Sequence, residues 1–172
     1  MHEYEQSSII LAVQLKYEIA LPEFMEMAWI RHRSSVRWIF GICVGVLGLL
    51  MGLIFYVYAN PALAIVLIAF SILLLLMQFV VPTQVFRWIY RRNPRMFGTR
   101  TINITDSGII ADYELGHIET AWSMYEKFRE TEKLFLLYQS ADLIGIVPKR
   151  AFADAAAIEQ FRTLVASKVR QG

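Results

Sequence analysis

The sequence predicts a membrane α+β fold: a two-helix transmembrane hairpin inserted in an antiparallel β-domain that a carboxy-terminal helix closes. Three observations carry this. Residues 38–86 contain no Asp, Glu, Lys, Arg or His, although charged residues make up 19% of the 172-residue chain. Arginines stand on both sides of that run and none stands inside it. Short alternating segments separated by turn residues fill the chain after residue 100, and one similar segment precedes the apolar run.

The amino-terminal part, residues 1–37, is read as cytoplasmic. Within 9–21, Ile9, Leu11, Val13, Leu15, Tyr17, Ile19 and Leu21 share one parity, and Gln14, Lys16 and Glu18 the other. Period-two alternation of this kind marks a half-buried strand. Pro22 and Glu23 then suit a helix start, and a helix to about Arg33 leads into the apolar run.

A single helix over residues 38–86 would be about 70 Å long at 1.5 Å per residue, more than twice a ~30 Å hydrocarbon core. It must break. Residues 38–58 and 62–81 are each long enough to span, and Ala59, Asn60 and Pro61 separate them. Asn favours turns, and Pro is tolerated in the first turn of a helix, where its missing N–H would be unpaired anyway. The prediction is a transmembrane hairpin over 38–81.

Topology follows from the arginines. Arg31, Arg33 and Arg37 precede the first span; Arg87, Arg91, Arg92 and Arg95 follow the second, in a basic juxtamembrane segment over 82–99. The connecting turn carries no charge. The positive-inside rule then puts both termini in the cytoplasm. Trp29, Trp38, Trp88 and Tyr90 suit an aromatic belt at the inner boundary, and Tyr56 and Tyr58 one at the outer. The charged residues of the first 37 positions argue against a cleaved signal peptide.

Gly41, Gly45, Gly48 and Gly52 recur at i, i+4, i+7 and i+11, one face of the first span. Small-residue faces let helix backbones approach closely in lipid. Two partners suit this face: the second span of the same hairpin, for instance at Ala69 and Ser71, or a second copy of the chain. With no ionisable group in either span, a channel or transporter is not expected. Cys43, the only cysteine, is expected to be a packing residue.

Residues 100–172 read as one cytoplasmic domain. Strands are predicted near 100–105, 108–114, 117–122, 124–131, 133–139 and 143–147, with turns at 105–108, 115–116 and 140–142. At the first turn, Gly108 is expected to supply a positive φ. From the N-cap Asp154 the chain is helical, with Ile158, Phe161, Val165 and Val169 as its apolar stripe. The amino-terminal strand is expected to join the sheet of the six later strands, so that the hairpin is an insertion within one β-domain.

Trp122 and Tyr125, the segment Pro148, Lys149, Arg150, Ala151 and Phe152, and the turn at Asp106, Ser107 and Gly108 give the chain its resemblance to a known family. With the order of elements, they resemble the YcxB-like proteins, bacterial membrane proteins with two spans and a carboxy-terminal domain similar to a bacterial pleckstrin-homology (PH) fold. The resemblance implies a PH-like domain and a bacterial inner-membrane location. It brings no catalytic residues.

A search for chemistry finds little. His117 and Glu119 share a strand face but lack a third ligand, so a solvated face is the plainer reading and no metal is expected. Catalytic residues and cofactors are likewise not expected. The acceptor pattern at Asn103 to Thr105 falls in a predicted cytoplasmic strand and should be silent. Trp122 and Phe152 are read as core residues rather than groove linings. The net charge of +2 is too mild to argue for nucleic acid.

The leading functional expectation is therefore a non-enzymatic inner-membrane protein holding a PH-like binding or scaffolding domain at the cytoplasmic face. Its partners would be the bilayer and either a further protein or itself. One alternative is recognition of anionic headgroups by Arg87, Arg91, Arg92, Arg95, Lys149 and Arg150, each such charge near the surface being worth about 1 kcal/mol. The other is a small structural subunit of a membrane complex, assembled through the glycine face.

Overall fold

The computed structural model describes residues 13–114, 116–140 and 143–172. Ile9 and Leu11 of the predicted first strand, Leu115 of the second turn, Ala141 and Asp142 of the third turn, and His2 lie outside the described residues. The chain divides into two compact units, one built from residues up to Glu23 together with Asn93–Gly172, the other being Phe24–Arg92.

The second unit is helical. Most of α1 (Leu21–Arg33) is followed by α2 (Val36–Tyr58) and α3 (Pro61–Arg92). Ser35 caps α2, its side chain accepting from Trp38 N–H, and Asn60 caps α3, its Oδ1 accepting from Ala62 N–H at 2.9 Å. The chain thus turns where Asn60 and Pro61 predict. Both helices are long and apolar enough to cross a membrane.

One boundary differs from expectation. The second helix does not stop before Pro82 but continues through it to Arg92. Proline removes one backbone donor without forcing an end when the turns on either side hold, and Thr83 Oγ1 bonds the Phe79 carbonyl at 2.7 Å. The segment 87–92 is therefore helical, with Arg92 stacked on Trp88 at 5.2 Å.

Glycine spacing decides how α2 meets α3. A Cβ at Gly41 would meet Gln78, at Gly45 Leu75, at Gly48 Ser71 and at Gly52 Ile68. The stripe is thus filled by the neighbouring helix, and Ala64 and Ser71 are buried there. Ser71 is where the sequence predicts it; Ala69 is exposed, because the facing row on α3 runs through 64, 68, 71, 75 and 78. Near the start of α2, Trp29 packs on Trp38 with ring centroids 6.0 Å apart, and Trp38 on Phe79 at 5.0 Å.

Among the described residues the first unit holds seven strands in two antiparallel sheets, where one sheet was expected. Sheet order is β1 (Val13–Tyr17), β2 (Arg100–Ile104), β3 (Gly108–Tyr113), β4 (Gly116–Ala121) in one and β5 (Lys127–Glu130), β6 (Leu134–Tyr138), β7 (Ile144–Pro148) in the other. The break falls at Trp122–Met124, a short 3-10 turn in place of strand. The short helix α4 (Pro94–Phe97) precedes β2, and α5 (Ala155–Lys168) follows β7, its N-cap Asp154 accepting from Ala157 N–H at 2.8 Å.

The amino-terminal strand does join the sheet: β1 pairs with β2, from Val13 opposite Ile104 to Tyr17 opposite Arg100. Buried residues Leu15, Ile102 and Ala111 stand side by side across β1, β2 and β3. Strand β6 is buried over its whole length, as a central strand covered on both faces should be. Phe135 meets Phe161 of α5 at 5.0 Å, and Phe152 meets Phe161 at 5.2 Å. Tyr17 joins the two sheets, its buried hydroxyl donating to Ile146 O at 2.6 Å. That burial pushes the phenol pKa well up.

Candidate functional site

The segment from Pro148 to Phe152 begins at the last residue of β7 and continues as a 3-10 turn over Lys149–Ala151. Lys149 N–H donates to Lys133 O at 2.8 Å, which fixes the turn against the loop before β6. The Lys149 ammonium then lies 2.5 Å from Glu130 Oε1 on β5 and 5.3 Å from the Phe135 ring centroid. Glu130 also receives a bidentate pair from Arg162 of α5, Nε to Oε2 and Nη2 to Oε1, both at 2.7 Å. Glu159, one turn earlier on α5, contacts Arg162 as well.

This is a carboxylate held between two cations at the junction of β5, the 3-10 turn and α5. The Arg162 bonds foremost, and Lys149 after them, outweigh burial and hold the Glu130 carboxyl down to about 2.

Arg150 points elsewhere. Its Nε donates to Glu23 Oε1 at 2.6 Å, its Nη2 to Glu23 Oε2 at 3.0 Å, and the same Nη2 to Glu18 O at 2.7 Å. Glu23 is buried and also caps α1, Oε2 accepting from Ala20 N–H at 2.8 Å. One arginine thereby ties the strand and helix start before the apolar run to the loop before α5.

Lys149 and Arg150, expected as headgroup contacts, are each paired with a carboxylate here. Both charges are compensated by carboxylates of the first unit, so a headgroup would have to displace Glu130 or Glu23. Arg87, Arg91, Arg92 and Arg95 stay exposed. Of the expected six-residue basic set, Lys149 and Arg150 are paired with carboxylates, and Arg150 is exposed like the other four arginines.

Trp122 is core, as expected, with its Nε1 donating to Thr105 O at 2.9 Å and its ring 5.9 Å from Tyr125. Trp122 N–H also donates to Ser107 O at 3.1 Å. The turn over 105–108 closes on itself, Thr105 Oγ1 donating to Gly108 O at 2.8 Å. Gly108 needs no positive φ, which corrects the turn assignment; Gly116 alone among the described residues has one. A Cβ on Gly108 would instead lie 2.8 Å from Ala121 Cα, so close approach of the β4 backbone demands glycine there.

His117 has the third group the sequence did not reveal. Its Nδ1 is 2.6 Å from Asp112 Oδ1 and its Nε2 3.2 Å from Glu119 Oε1, all three side chains being largely exposed. Asp112 stands opposite His117 across β3 and β4. The bonds to Asp112 and then Glu119 raise the imidazole pKa. No His, Cys, Asp and Glu group suited to a metal ion occurs among the described residues.

Sequence reasoning missed Glu130, Asp112, Arg162 and the Arg150 bond of Glu23, because each acts across strands or elements. A faint signal existed for one of them: Arg162 follows Glu159 by three residues on the exposed side of the apolar stripe. Residues 104–165 match the family model described as YcxB-like protein. No curated protein and no solved structure matches the chain.

Proposed function

From a carboxy-terminal region that is YcxB-like over residues 104–165, we propose that the chain is a two-pass protein of the bacterial inner membrane whose first unit is a PH-like binding or scaffolding module at the cytoplasmic face. One observation carries the reading. The chain leaves β1 at Tyr17 and re-enters β2 at Arg100, and these two residues are register partners. A segment that departs from and returns to the same rung must cross a membrane an even number of times. Two helices, each with a span free of charge, supply two crossings, and the flanking arginines support an inside position for the shared rung. At 1.5 Å per residue the 32-residue α3 is about 48 Å long, so its last turns, with Arg87, Arg91 and Arg92, would emerge among the inner headgroups.

The role is binding rather than catalysis, a reading supported by how the first unit uses its ionisable side chains. Lys149, Arg150, Glu23, Glu130 and Arg162 are engaged with one another in joining elements. Exposed Arg87, Arg91, Arg92 and Arg95 support a second reading, an anionic-lipid contact in which Lys149 and Arg150, already paired with carboxylates, take the smaller part. That α3 fills the glycine stripe supports a packing role for it within the hairpin.

The test is topology. Membranes from cells expressing the full chain are washed with alkaline carbonate, and single cysteines at Asn60 and Ser167, in a Cys43→Ala background, are probed with an impermeant thiol reagent. Retention, with labelling at position 60 from outside and at position 167 only after lysis, is the expected outcome. Release by carbonate, or opposite labelling of the two positions, would overturn the reading.

A further inference from the structure

Strand β4 is the last strand of its sheet, and its outer side has no partner among the described residues. Across that sheet the row Leu15, Ile102, Ala111 is buried, with exposures of 3%, 3% and 6%, yet the same row ends at Ile118 with 53%. The core-facing row therefore continues to the edge and stops there uncovered.

The hydrogen-bond phase of β4 says which groups are free. Trp122 N–H bonds Ser107 O, and the register from there to Tyr113 opposite Gly116 is unbroken. Antiparallel rungs alternate, so Ile118 and Thr120 turn their backbone groups to β3 while His117 and Glu119 turn theirs to the open edge.

We propose that this edge pairs with the same edge of a second copy of the chain, antiparallel about a two-fold axis at Ile118. In that register His117 of each copy stands opposite Glu119 of the other, and these are the residues whose backbone groups are free. Each of the two pairs exchanges two hydrogen bonds. Ile118 meets Ile118 in the intervening non-hydrogen-bonded pair, where side chains come closest. The edge is self-complementary in charge, because in this register the basic imidazole of each copy faces a carboxylate of the other, a favourable cross-strand pair. A single strand pair is a small interface, but two membrane-confined copies meet at high effective concentration. In this respect the inference rests on the anchored reading above and names its partner.

The experiment uses the full chain in native membranes, with Cys43→Ala removing the only cysteine. After mild oxidation, Ile118→Cys is expected to give a disulfide-linked dimer. Thr120→Cys is expected to give none, because it lies four residues from its own copy, about 14 Å at 3.4 Å per residue and beyond the ~7 Å a disulfide allows. Adding Glu119→Lys should cut the Ile118→Cys link about tenfold, and adding His117→Glu as well should restore it. No link at Ile118→Cys, equal links at both positions, or a link indifferent to Glu119→Lys would overturn the pairing. Loss of the link in a chain still held by the membrane removes the second copy alone. Release from the membrane removes the anchor instead.

Discussion

Glu130 accepts from Arg162 twice and from Lys149 once, and its ionised form is the one those bonds require. Its carboxyl is depressed from 4.5 to about 2, so its contribution to stability is complete above pH ~4.5 and is lost as pH falls from there toward 2. Urea denaturation of the full chain in detergent should show this loss, and Glu130→Gln should flatten the profile while costing about 1–3 kcal/mol at pH 7. His117 has the opposite sign. Its raised pKa makes the bonds to Asp112 and Glu119 fully effective below pH ~6.5, and they weaken as pH rises through the raised value. A proton-NMR titration should place His117 above its ordinary 6.5, and Asp112→Asn should bring it back down. At this scale the sequence was least legible: it showed His117 and Glu119 two residues apart, but Asp112 became their neighbour only through the β3–β4 register.

Helices α2 and α3 illustrate an element whose partner could be read with little error. Glycines at four positions of one face, with no charge over residues 38–86, leave close backbone approach as the main route to stability. Gly45→Leu or Gly48→Leu would drive a side chain into Leu75 or Ser71. The expected outcome is a hairpin that unfolds at lower temperature in detergent, with its oligomeric mass unchanged; a lost dimer would point to a stripe shared between copies. Element existence was legible from charge and periodicity, because both reflect burial directly. The division into two sheets was not, since Trp122 looks like a strand residue until its ring and N–H are seen stitched to the turn over 105–108. Gly108 belongs to the same junction. Gly108→Ala places a methyl against the β4 backbone and should cost about 1–3 kcal/mol, measured by the same denaturation.

For the molecule as a whole, the consequential feature is the rung shared by Tyr17 and Arg100. Thr99 Oγ1 donates to Glu18 Oε1 at 2.8 Å across 81 residues of chain, and Arg150 reaches Glu23 across 127. Arg150→Ala should therefore loosen the amino-terminal segment ahead of the rest, seen as faster hydrogen exchange over residues 13–19 with little change in β6. Such separations also order events in time. A growing chain releases its amino-terminal end first, so β1 leaves the ribosome with no strand to pair with and must wait while both long helices are made. The first unit cannot finish folding until the second of them has been made, and a chain stalled partway through synthesis would be marked by an unpaired strand on its amino-terminal side.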